Sequence, residues 1–333
     1  MSAEVPSYDT LVAQADPPGS AWAFFGAGDQ LGTLNFATPE RAAAAARLVR
    51  HGRVFNLDHP VNAFDPFPSG AREPARHHIF ANNPNHRDDY VDALYLQSSS
   101  QIDGLRHIRS PAYGFYGGTP DDRIAVGGPD LGIQHWAESG IVTSGVLLDV
   151  ERHLAAEGRP VDPASSRAIT TADLDATCAR QGTTIEPGDA VLVRTGWARH
   201  FLTELDADAR RDLAKAMKCP GLHQAEETVR WLWDHRLSLA AADNIALEAM
   251  PPHPDSPFRN AGGEGPQVRG VSNDGMLHRV LIPLLGFVIG ELWNLEALAA
   301  DCARDGVYRF MLTAKPLNLV GAVGSPANAL AIK

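Results

Sequence analysis

Gln97-Ser98-Ser99-Ser100-Gln101-Ile102-Asp103-Gly104-Leu105-Arg106-His107 is the stretch on which the reading of this chain turns. Two amides, a carboxylate and an imidazole stand at positions 97, 101, 103 and 107, all odd, and alternate residues of an extended chain share one face. A straight strand rises about 3.3 Å per residue, which would hold Gln97 and His107 roughly 33 Å apart. Only Gln101 and Asp103 could then meet one ion. Gly104 supplies a bend that would bring His107 back over such a site. Spacing alone leaves two readings standing: a ligand and acid–base segment, or a polar edge strand carrying a solvated serine run.

Outward from this segment the pattern is that of an α/β protein. Pro60–Asp92 is rich in Pro, Asn, Asp and His without periodicity, a long irregular stretch of the kind that tends to be functional. Leu94–Leu96 resumes an extended pattern. Val54–Leu57, Gly140–Val150, Ala190–Thr195, Leu237–Ala242, Leu284–Leu292 and Val307–Thr313 read as strands. Thr38-Pro39-Glu40 opens a helix that stops at Gly52. Thr170 and Asp173 form a capping box for a helix ending near Gly182. Further helices are expected near Gln224–Asp234 and Leu295–Arg304. No repeat or linker divides the chain. It reads as one domain over residues 27–333, preceded by an arm, residues 1–26, that packs on the body or on a partner subunit.

Composition excludes several classes. The net charge of −11, with no cluster of Lys and Arg, argues against a nucleic-acid surface; the densest basic stretch, Ala207–Lys218, is interleaved with acids. Three cysteines without a Cys-x-x-Cys pair argue against a disulfide framework or a structural zinc site. The first ten residues lack a basic segment followed by an apolar one, and the longest apolar run, Val280–Ile289, is interrupted by Pro283 and Gly286. A soluble, cytoplasmic protein is expected.

The segment 97–107 resembles the signature of the cyclase family, which includes bacterial kynurenine formamidase, isatin hydrolase and trans-dienelactone hydrolase and reads H-x-G-T-H-x-D-x-P-x-H. The two metal-binding histidines of that signature fall on Gln97 and Gln101, its bridging aspartate on Asp103, and its proton-carrying histidine on His107. Its glycine and threonine become Ser99 and Ser100, and its proline becomes Leu105. Trp22–Glu40, with Gly28-Asp29-Gln30-Leu31-Gly32-Thr33-Leu34-Asn35, resembles the N-terminal signature of the longer members. So do Gly132–Val150, Gly188–Trp197, Asp243–Glu248 and Pro316–Ile332 their counterparts, which spreads the similarity over nearly the whole chain.

The resemblance implies a fold of swivelling β/β/α type, with a mixed sheet, a small barrel-like layer and flanking helices, in a homodimer or larger homo-oligomer. It implies a metal-dependent hydrolase of a small cyclic or aryl amide, imide or lactone, with His278 and Glu291 as further ligands. The ligand set becomes Asp103, His278 and Glu291, with Gln101 and Gln97 as weaker donors. A glutamine carbonyl is neutral and hard, so the pair of substitutions points to one Mn²⁺ or Zn²⁺ rather than two ions. His107 would take a proton from the attacking water. Two alternatives keep the fold: a metal-independent cyclase or dehydratase using His107 and Asp103, and a non-catalytic small-molecule binding protein.

Other residues have a functional and a plainer reading. Arg194 and Thr195 end a strand where a substrate could be held, or Arg194 is salt-bridged. Arg106 binds an acidic substrate or points away. Trp136 is a stacking platform or part of the core. His77, His78 and His86 line a pocket or are exposed. Gly26–Gly32 has the wrong glycine spacing for a dinucleotide loop, and no Gly-x-Ser-x-Gly elbow is present.

Overall fold

The structure, a computed structural model, describes residues 4–260 and 272–333. Four neighbouring strands, Ile141–Asp149, Ala190–Arg194, Leu239–Ala242 and Val288–Glu291, run parallel through the middle of a nine-stranded sheet. Their near-continuous apolar sequences suit strands covered on both faces. Alternation along each strand divides them between two cores. Val146, Leu148, Val191, Val193, Ala240 and Ile289 pack against helices Thr171–Gln181, Glu226–Asp234 and His278–Leu285. Leu147, Leu192, Leu239, Ala241 and Val288 face Trp136, Trp293, Phe310 and helix Glu296–Asp305 on the other side. Each fully buried large aliphatic side chain stabilises by about 1.5–3 kcal/mol.

Antiparallel strands flank this centre. On one side lie Arg309–Ala314, Ala329–Ile332 and Val54–Asn56; on the other lie Gln101–Asp103 and then Gly324–Pro326. Pro326 and Ala329 therefore belong to opposite ends of the strand order. Three residue steps reach roughly 11 Å at most, so the two ends of the sheet must approach each other. The sheet is curled into a half-barrel, the barrel-like layer expected from the sequence.

Local signals explain most element boundaries. Thr38 caps Pro39–Ala46 by accepting from Arg41 N, and the helix ends before the expected Gly52. The reciprocal capping box of Thr170 and Asp173 starts Thr171–Gln181, which stops at left-handed Gly182. Residues 4–26 lie against the body: Tyr8 and Leu11 are buried in the helix-side core, and Tyr8 N donates to Asp234 at 2.8 Å. Trp233 Nε1 donates to Pro6 O at 2.8 Å and Trp22 Nε1 to Pro283 O at 2.7 Å.

Three expectations need correction. The stretch 60–92 is not irregular throughout, because Arg76–Asn83 and His86–Asp92 pair as an antiparallel hairpin whose residues are almost all exposed. Its exposure hides the alternation that a half-buried strand would show. Leu94–Leu96 forms no strand. The apolar run 284–292 is split: helix His278–Leu285 ends at left-handed Gly286, and only Val288–Glu291 is extended. A short apolar run does not distinguish a buried helix end from a buried strand by period alone. Among the described residues no helix is long and apolar enough to cross a membrane, and all three cysteines are free.

Candidate metal centre

The strand Gln101–Asp103 pairs with Val288–Glu291 so that Glu291 stands opposite Gln101 and Ile289 opposite Asp103. Residues 101, 103 and 291 thus share one face of the sheet. The approach is close. A Cβ on Gly290 would lie 2.6 Å from Ala241 Cβ, and one on Gly104 would lie 2.6 Å from Val323 O. After Asp103 the chain bends, with His107 N donating to Gly104 O at 2.9 Å. The strand is only three residues long, and turns on both sides of it fold the ends of the segment together. Gln97 Nε2 lies 3.2 Å from His107 Nδ1, where a straight strand would have held the two residues far apart.

His278, at the start of its helix, closes the group. Its Nδ1 donates to Glu248 Oε1 at 2.5 Å, and Glu248 also accepts from Leu277 N. Nε2 is thereby turned toward Glu291 Oε1 at 3.1 Å and Asp103 Oδ2 at 3.6 Å. Asp103, His278 and Glu291 are all buried, and each offers a ligand atom within 4.8 Å of the others. Asp103 Oδ2 is buried without a hydrogen-bond partner. One imidazole nitrogen held by a carboxylate behind it, two carboxylates and an orphaned carboxylate oxygen suit a divalent cation.

The glutamines border this group through their side-chain amides. Gln101 Nε2 donates to Glu291 Oε2, while its Oε1 faces Arg72 Nη1 at 3.4 Å. The guanidinium fixes that orientation, because an amide nitrogen turned toward Arg72 would set donor against donor. Gln97 likewise presents its amide nitrogen to Asp103 and His107. Gln97 and Gln101, expected as weaker donors to a cation, are here hydrogen-bond partners of the carboxylates. An amide can accept a metal through oxygen but carries two donors on nitrogen, and here the carboxylates attract the donors.

These charges act on one another at short range. Burial would raise the Asp103 carboxyl, but His107, His278 and Arg72 outweigh it and hold it at about 2. Burial and the charge of Asp103 push Glu291 up to about 7. Burial opposes protonation of His278, yet Glu248, Asp103 and Glu291 carry it well above its ordinary value. His107 is displaced downward, by burial first and then by the charges of His278 and Arg72, against the pull of Asp103. His107 Nε2 lies 3.8 Å from Asp103 Oδ1, and the side chain keeps 23% of its surface exposed.

A cavity of about 250 Å³ opens over this group. Arg72, His107, His278 and Glu291 line it together with the polar Ser69, Ser272 and Asn273; Phe67, Ile108, Met217, Ile245, Met250 and Met276 form most of its apolar wall. Neither Arg72 nor Glu248 was singled out from the sequence. Arg72 lies in an aperiodic stretch. Glu248 sits in a segment, 243–248, whose likeness to the family gave no role to its individual residues.

The four expected substrate-binding residues are elsewhere. Arg194 is buried in ion pairs with Asp149, Glu151 and Glu296 at 2.6–2.7 Å, the salt-bridged reading. Thr195 donates its hydroxyl and backbone N–H to Asp243. Arg106 is spent on the carbonyls of Ala125, Gly128, Asp130 and Gly321, which ties loops together. Trp136 is 1% exposed and lies in the core. None of the four lines the cavity. His77 and His78 face Asp89 and Asp92 on the exposed hairpin, and His86 lies on the same hairpin.

Fold and site together define a cyclase-type α/β architecture with a buried carboxylate–histidine centre. The Cyclase family model matches residues 49–249, and the chain belongs to this family. A crystal structure described as a novel cyclase is 35% identical, with a TM-score of 0.77 over 94% of this chain and 99% of that one. Isatin hydrolase A from Labrenzia aggregata, bound to benzyl benzoate, is 17% identical with a TM-score of 0.54, covering 87% of this chain and 96% of its own. Isatin hydrolase A from Ralstonia solanacearum is 18% identical with a TM-score of 0.53, covering 89% and 97%. At those identities the two hydrolases bear on the fold alone. None of the curated proteins compared matches the chain.

Proposed function

We propose that the protein hydrolyses a small cyclic or aryl amide, imide or lactone with one divalent cation, Mn²⁺ or Zn²⁺, held by Asp103, His278 and Glu291. The observation that carries this reading is the convergence of these three buried side chains beside His107, with His107, His278 and Glu291 lining a largely apolar cavity. A bound cation would lower the pKa of a water molecule and polarise a carbonyl oxygen. The chain supplies the rest. Glu248 orients His278, the apolar wall holds a ring, and His107, neutral at physiological pH, accepts a proton at the cavity side and returns it to the leaving group. Asp103 stays ionised, so it stabilises the imidazolium that His107 becomes.

Metal analysis of protein purified without chelator, followed by chelation and add-back of Mn²⁺ and Zn²⁺, tests this. The assay panel should hold an N-formyl arylamine, an isatin-like cyclic amide and an aromatic lactone. About one ion per chain with hydrolysis lost and regained supports the reading; no hydrolysis of any class by fully loaded protein sinks it. A second reading, acid–base catalysis by His107 and Asp103 without metal, has one observation in its favour. The amides of Gln97 and Gln101 already give Asp103 and Glu291 a donor each. Turnover insensitive to chelation would select it.

A further inference from the structure

Arg72 comes from the stretch before the exposed hairpin and stands in the cavity wall, its guanidinium 4.5 Å from the centroid of the Phe67 ring. One nitrogen is committed: Nη1 donates to Gln97 O and to Gln101 Oε1. Among the described residues, Nε and Nη2 make no hydrogen bond. Neither is among the sealed, unpartnered atoms, so both keep accessible surface on a side chain that lines the cavity. Asp103 and Glu291 act on Arg72 only at a distance, for no carboxylate among the described residues lies within ion-pair reach of it. A guanidinium taken largely out of water without an ion partner is costly, and its fork of donors matches a carboxylate.

We propose that Arg72 is the receptor for the carboxylate of a ring-bearing ligand, with the ring against the apolar wall opposite the ion-binding group. The proposal rests on the hydrolase reading in one respect: opening a cyclic amide, imide or lactone sets a carboxylate free, so the ligand is the ring-opened acid. Stacking on Phe67 keeps the guanidinium plane fixed, and Nη1 anchors it to the segment that carries Gln97 and Gln101. Its two free donors then meet the acid without reorganisation.

Benzoate and benzamide share a shape and differ in charge, which makes them suitable probes. Calorimetric titration of each into wild type, Arg72→Gln and Arg72→Lys should be run with Mn²⁺ and again after chelation. Wild type is expected to prefer benzoate by roughly tenfold or more under both conditions, the range of a charge-assisted pair. Arg72→Gln should lose that preference and keep its affinity for benzamide, while Arg72→Lys keeps part of the preference. A preference that survives in Arg72→Gln overturns the proposal, as does one that vanishes from wild type on chelation, since the cation would then be the receptor. If Arg72→Gln binds neither probe, Arg72→Lys decides: a retained preference supports the role and its absence overturns it. None of these titrations needs turnover, so failure of hydrolysis would sink the proposed function and leave this result intact.

Discussion

Glu248 holds the Nδ1 proton of His278 at 2.5 Å, and this one contact decides which nitrogen faces Asp103 and Glu291. Without it the ring is free to rotate or to carry its proton on the other nitrogen, and the ligand atom is lost from the group. Replacement of Glu248 by Gln sets an amide nitrogen against either Leu277 N–H or His278 Nδ1–H. Metal affinity should fall about 10–100-fold, the usual cost of losing such a support, as measured by competition with a chelating dye. Unchanged affinity would mean that His278 is not a ligand.

Replacing His107 by Ala should lower kcat by about 10²–10⁴, the range of a general acid–base group, with metal content unchanged. The imidazole reaches the cavity and lies 3.8 Å from Asp103, but it is outside the group of three ligands. Loss of metal together with activity would instead make His107 a ligand, and full activity would remove it from the mechanism.

Arg194→Met should act on stability and leave the site alone. It strands Asp149, which is 1% exposed and among the described residues keeps only Arg152 as an ion partner. Breaking a buried pair from one side costs about 3–5 kcal/mol. Denaturant unfolding should show the loss, while KM of the folded enzyme stays at the wild-type value. A raised KM with unchanged stability would restore the substrate-binding role expected from the sequence.

Asp58 gives stability a pH dependence away from the site. Burial raises its carboxyl to about 6, against hydrogen bonds from Ala329 N and Asn328 N, and Oδ1 has no partner. A raised folded-state value means that the protonated form is favoured on folding. The contribution is therefore fully present below the unfolded value of about 3.9 and is lost as pH rises through about 6. Asp58→Asn stays neutral throughout. The difference in Tm between variant and wild type should grow in favour of the variant from pH 4 to pH 6 and then level off; a flat difference would refute the assignment.

Much of this architecture is legible in the sequence because its central strands announce themselves. GIVTSGVLLDV is apolar on both faces, and Thr170 with Asp173 states where a helix begins. The candidate site is legible only in part. Asp103, His107, His278 and Glu291 carry the family pattern, but the direction in which Gln101 turns its amide depends on Arg72, whose position no periodicity encodes. Arg194 shows the opposite difficulty. An arginine at the end of a buried strand looks functional until the acids that surround it, at 149, 151 and 296, are seen to come from other elements.

The short strand Gln101–Asp103 has as neighbours residues 288–291 on one side and 324–326 on the other. Among the described residues, both neighbours come from the last third of the chain. During synthesis the strand cannot be paired on both edges until residues 324–326, more than two hundred positions later, have left the ribosome. A chain stopped before Gly324 would leave that strand paired with residues 289–291 and open on its other edge.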